Sequence, residues 1–184
     1  MIQLRLLLMH TMSSMVQRNN MSSKRNVTKI VGTILFILYG CVLIYFLFFA
    51  EEFGRKNTDS YNLNLVPFKE ITRFLTRKDV LGNEAAFINI GGNILAFVPF
   101  GLLIVPIAGF YIKSESGIWG RFFRAVLMTF NLSLTIEIIQ LISRVGSFDV
   151  DDLILNTLGG VIGAGIYVLY SLVERKKSHG KAQI

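Results

Sequence analysis

The stretch AVLMTFNLSLTIEIIQLI, residues 125–142, decides the fold. It is long enough to cross a hydrocarbon core of about 30 Å at a rise of about 1.5 Å per residue. Yet it carries a carboxylate, Glu137, and follows Arg124. Three other apolar segments surround it: Ile30–Ala50, which has no charge, Ala85–Ile107, whose uncharged run continues to Ile112, and Leu153–Val173. Hydropathy alone ranks the quoted stretch last. It is read as the body of a third span, Phe122–Ile142, because the segments on either side need a return crossing.

The expected fold is therefore an all-α integral membrane protein with four transmembrane helices. Composition agrees: 52% of the 184 residues are hydrophobic and only 17% are charged, too little polar surface for a soluble domain of this length. Residues 30–173 form the membrane domain. Residues 1–29 are expected to be cytoplasmic and open to disorder, and 174–184 form a basic cytoplasmic tail. Met1 and Met21 both stand as start residues, and the stretch before Met21 is expected to have no structural role. Its apolar run, Leu6–Met9, is too brief for a signal-peptide core.

Basic residues set the expected orientation. Arg5, Arg18, Lys24, Arg25 and Lys29 precede the first span without an acid among them; Lys113, Arg121 and Arg124 lie between spans two and three; Arg175, Lys176, Lys177 and Lys181 follow span four. The positive-inside rule places all three groups, and both termini, in the cytoplasm. The net charge of +7 is thereby explained by topology, and its scatter argues against nucleic acid as a partner. The loops Glu51–Glu84 and Arg144–Asp152 then face outward. In the first of these, Phe68, Ile71, Phe74 and Leu75 share one helical side, with Lys69, Arg73, Arg77 and Lys78 on much of the rest. Pro67 suits a first helical position. An extracellular amphipathic helix in the interface is expected there, with a loop helix covering the bundle as the alternative.

An isolated acid at bilayer depth is costly and marks a functional site by default. Gln140 and Arg144 follow Glu137 on the same helical face. Beyond them the acidic loop Phe148-Asp149-Val150-Asp151-Asp152 runs into span four. Span two carries Asn89 and Asn93 around Gly91-Gly92, then Pro99, which frees a backbone carbonyl and bends the helix. Span four carries Asn156 and the small-residue pair Gly159 and Gly163, read as tight packing within the chain. By helical rise, Asn93 lies about 12 Å, Glu137 about 8 Å and Asn156 about 6 Å below the outer ends of their spans. They form one outer-leaflet layer over apolar inner halves. That pattern disfavours a through-going pore and a transporter.

Several separated motifs in order, NLVPF at 64–68, GN at 92–93 through FVPFG at 97–101, EIIQ at 137–140, and Arg144 followed by FDVDDLILNTLGG at 148–160, resemble the VanZ-like family. The resemblance spans about Ile30 to Val173. The family is named for a small membrane protein associated with low-level teicoplanin resistance in Gram-positive bacteria. The resemblance implies a cell-envelope role and the position of the site, and no reaction.

The residues themselves suggest chemistry. Glu137, Asp149 and Asp152 are the candidate catalytic acids: Glu137 as general acid or base, the two Asp as base, nucleophile or oxygen ligands for a divalent metal. Arg144 has the fork for a phosphate or carboxylate. Asn64, Asn89, Asn93, Gln140 and Asn156 complete the candidate substrate-binding set. One expectation is processing of a lipid phosphate or lipid-linked glycan in the outer leaflet. The other is a non-enzymatic envelope protein that binds a lipid headgroup or partner and alters antibiotic access. Membrane lipids or lipid-linked cell-wall intermediates are the partners in either case. Bland roles compete: Glu137 pairing with Arg144 or bonding Asn93, Asp151 in a solvated loop, Asp152 capping span four, Arg144 as an interfacial anchor, Asn93 and Asn156 as interhelical glue. His10 and His179 lie in the termini, so His-dependent phosphatase and Ser-His-Asp chemistry are disfavoured. No Cys/His zinc pattern or Walker phosphate loop occurs, and the one Cys, Cys41, is packing filler in span one.

Overall fold

The computed structural model describes residues 2–48, 63–76, 87–111, 117–144 and 146–181. Its elements are α1 (Ile2–Phe48), β1 (Leu63–Asn64), α2 (Lys69–Thr76), a π-turn (Phe87–Gly91) leading into α3 (Gly92–Tyr111), α4 (Ile118–Ser143), β2 (Phe148–Asp149) and α5 (Val150–Lys181). Among the described residues four helices are long and apolar enough to cross a membrane, and each overlaps one of the four expected segments. The chain is a multi-pass membrane protein. Arg77, Lys78, Lys113 and most of the loop Glu51–Glu84 lie outside the described residues.

Three features differ from the sequence reading. Helix α1 extends back to Ile2, so residues 2–29 are helical and continuous with the helix of the first span. No Pro or Gly interrupts this stretch before Gly32, and its Leu, Met, Arg and Gln residues favour helix. The chain also forms a two-stranded parallel ladder, Leu63 opposite Phe148 and Asn64 opposite Asp149. Finally, span two opens with a π-turn at Phe87–Gly91 that ends within the pair Gly91-Gly92. Such turns gather at functional sites.

Glycine decides how the bundle closes. A Cβ on Gly101 would collide with the carbonyl of Gly160, one on Gly159 with the carbonyl of Ile94, and one on Gly163 with the carbonyl of Val98. Helices α3 and α5 therefore meet backbone to backbone, and the small-residue spacing serves contact within the chain. Gly160 lies equally close to the side chain of Thr129 on α4. Around these contacts pack Phe97, Phe100, Ile104, Val105, Ala125 and Ala164. Helix α1 lies along α3 by Phe36, Tyr39 and Leu43. The Tyr39 hydroxyl donates to the carbonyl of Ala96, next to the Leu95 carbonyl that Pro99 deprives of its usual donor. The outer faces of the helices expose Phe123, Leu127, Ile142, Leu169 and Tyr170, a surface suited to lipid.

Gly163→Ala is expected to destabilise the detergent-purified protein by the roughly 1–3 kcal/mol typical of overpacking, seen as a lower thermal midpoint. Gly165 has open space around its Cβ position, so Gly165→Ala should leave the midpoint unchanged or raise it slightly. A fluorescence melting curve of the two variants checks both.

Candidate functional site

One face of α4 carries Thr129, Ser133, Glu137 and Gln140, all buried. The first three recur every fourth residue and so stack along the helix. An apolar bundle tolerates such groups only where they are hydrogen-bonded. The Thr129 hydroxyl donates to the Ala125 carbonyl of its own helix at 2.8 Å. The Ser133 Oγ accepts from Asn156 Nδ2 at 2.9 Å, joining α4 to α5. Glu137, 2% exposed, accepts the backbone N–H of Asp149 at 3.0 Å.

That last bond requires the chain to turn back on itself. Helix α4 ends at Arg144, which adopts the left-handed conformation (φ 60°) and returns its N–H to the Leu141 carbonyl. This is the usual geometry of a helix stop. Gly146 then passes against the Gln140 side chain, and β2 runs beside Glu137. Asp149 Oδ1 accepts two bonds, from Asp151 N–H at 2.8 Å and from Asn64 Nδ2 at 3.0 Å. The first makes Asp149 the N-cap of α5. Sequence reasoning gave that role to Asp152; the helix begins at Val150, ahead of the apolar run, so the cap falls on Asp149.

Asp151 is the largest departure. Expected in a solvated loop, it is 1% exposed. Its Oδ1 accepts the N–H of Phe68, and its Oδ2 accepts those of Glu70 at 2.7 Å and Ile71 at 3.1 Å. These are the donors that the start of α2 cannot satisfy internally. Asp151 thus caps α2 from across the fold. Phe68 stands in the left-handed region (φ 64°) to aim its N–H there, a conformation uncommon for a residue with a Cβ. Helix α2 itself buries no residue completely. The strap of residues 63–76 is held by the ladder, the Asn64–Asp149 bond and the Asp151 carboxylate.

Asn93 Nδ2 donates to Asp152 Oδ1, tying α3 to α5 one turn above Asn156. The structure therefore gathers Asn64, Asn93, Glu137, Gln140, Asp149, Asp152 and Asn156 at one end of the bundle. Asn89 is half-buried on the π-turn, one turn before Asn93, and Arg144 is exposed at the stop of α4. Sequence reasoning missed Thr129 and Ser133, whose spacing from Glu137 was a usable signal. It also missed Asp151, for which no local signal existed.

Much of this acid serves the fold. Asp149 and Asp151 accept backbone N–H groups, and Asp152 is held by Asn93. Among the described residues no group of three His, Cys, Asp or Glu converges as a metal set. Two buried oxygens, Asn64 Oδ1 and Asn156 Oδ1, have no hydrogen-bond partner among the described residues.

The VanZ/LLP1 family profile matches residues 36–171, which include every residue of this layer. Protein VanZ of Enterococcus faecium is 33% identical over 147 residues, covering 77% of this chain and 76% of that protein. No solved structure matches the chain.

Asp151→Ala should release the strap. Amide exchange at Phe68, Glu70 and Ile71 is expected to accelerate about tenfold or more, matching the roughly 1 kcal/mol or greater value of a lost cap, while amides around Ala164 keep their protection. Equal acceleration at both places would assign Asp151 to the whole bundle instead.

Proposed function

The chain belongs to the VanZ/LLP1 family, and on that footing we propose that it binds the polar headgroup of a membrane lipid or lipid-linked cell-wall intermediate. The binding layer lies at the outer end of its bundle, and both termini lie in the cytoplasm. The family resemblance ties this role to the cell envelope and to teicoplanin susceptibility.

The observation that carries the reading is the placement of polar groups. Helices α3, α4 and α5 and the strap all contribute to one layer at one end, while Phe100, Ile104, Val105 and Ala164 fill the core beyond it. A layer confined to one end suits a ligand that arrives from the interface. Lys24 and Lys29 precede the apolar run of α1, Arg121 and Arg124 stand in the first two turns of α4 and Arg175 lies in the last turns of α5, which supports the outward assignment by the positive-inside rule.

Binding is favoured over turnover by the occupation of the acids. A catalytic base or nucleophile must be able to meet the reacting atom. Asp149 and Asp151 instead accept bonds that hold the loop, the α5 start and the strap. The catalytic version of the reading rests on Glu137 and on Asp152, which is half-buried and oriented by Asn93.

Lipid mass spectrometry of host membranes separates the two, comparing wild type, Glu137→Gln and empty vector at equal expression. The binding reading expects the same lipid species in all three, with teicoplanin protection reduced in Glu137→Gln by less than about tenfold, because Gln can still accept the Asp149 N–H. A lipid species changed by wild type alone would establish turnover and name its substrate class.

A further inference from the structure

Resting on the headgroup-binding reading, we propose that the layer receives a protonated primary amine, the ammonium of an aminolipid. The donor and acceptor inventory points there. Three asparagines turn their amide N–H groups toward protein oxygens: Asn64 to Asp149, Asn93 to Asp152 and Asn156 to Ser133. For Asn64 that orientation is forced, since an ionised carboxylate oxygen only accepts. The carbonyl oxygens of Asn64 and Asn156 are then left buried and without a donor among the described residues. A buried acceptor without a partner is rare in native proteins and calls for an explanation.

Asn156 stands in the right place to meet a ligand. It is 1% exposed. It lies one turn beyond Asp152 on α5, and its amide reaches Ser133, one turn before Glu137 on α4. Its side chain therefore sits between the two faces that carry these acids. Asn64, half-buried beside Asp149, marks the rim.

What these two carbonyl oxygens lack, among the described residues, is a donor. A primary ammonium brings three donors and no acceptor. A phosphate brings acceptors and negative charge to an end already holding Glu137, Asp149, Asp151 and Asp152. A sugar hydroxyl brings lone pairs as well as a proton. The ammonium alone adds only what the bare carbonyls take, and its charge suits the acids around it.

The test uses the full chain in phosphatidylglycerol nanodiscs, with lipid retention read by native mass spectrometry. Phosphatidylethanolamine is compared with its N-acetylated form, which keeps the phosphate and loses the cation. Retention of the amine form is expected to be about tenfold greater, and Asn156→Leu should remove that preference. Asn64→Leu, at the rim, carries the same expectation should Asn156→Leu fail to fold. Free ethanolamine that displaces the lipid at equal concentration would support the amine and identify a soluble source; no displacement identifies the lipid. Equal retention of the two lipids, or a preference untouched by the foldable variant, overturns the amine. Asparagine-dependent retention of phosphatidylglycerol or a glycolipid instead would leave headgroup binding standing without the amine. Retention of no lipid in an asparagine-dependent way would remove both.

Discussion

A carboxylate enclosed in an apolar bundle has to find hydrogen-bond donors, and Glu137 finds one in the backbone N–H of Asp149. The consequences spread outward from that bond. It draws the loop after α4 back against its own helix, which sets where α5 begins. With Asp149 there, its side chain is free to cap α5 and to receive Asn64. Two residues further on, Asp151 comes to lie beneath the strap and takes up the three N–H groups at the start of α2. One buried acid thus organises a loop, a helix start and a segment about seventy residues away in sequence.

A second constraint makes the layer continuous. Asn93 can reach Asp152 only because α3 and α5 approach at backbone distance, through Gly101, Gly159, Gly160 and Gly163. In lipid there is little hydrophobic drive between helices, so close packing and interhelical hydrogen bonds hold them together. The glycines supply the first and the asparagines the second. The same asparagines, in spending their N–H groups on protein oxygens, create the acceptor-rich character of the site.

The division of labour among the acids follows from depth and neighbours. Asp149 and Asp151, at the junction of loop and helix, meet backbone donors and become caps. Glu137 and Asp152, on helix faces that line the layer, accept from the Asp149 N–H and from Asn93 while standing beside Ser133 and Asn156. Residue type alone does not separate these roles.

The four spans were legible because apolar length is a local property, readable wherever about twenty residues avoid charge. The shared depth of Asn93, Glu137 and Asn156 was legible for a related reason: helical rise is constant, so position along a span is position in the bilayer. The spacing of Gly159 and Gly163 likewise announced close packing. The role of Asp151 and the pairing of Leu63 with Phe148 could not be read this way. Their partners are backbone groups, and every residue but proline offers the same N–H and C=O, so nothing in the side chains of residues 63–71 marks them as the ones Asp149 and Asp151 will hold. The sequence by itself determined the spans and the layer of polar residues; the tertiary structure decided which acids cap, which line the layer, and which segment lies over them, because backbone hydrogen bonding is specified by proximity and not by residue identity.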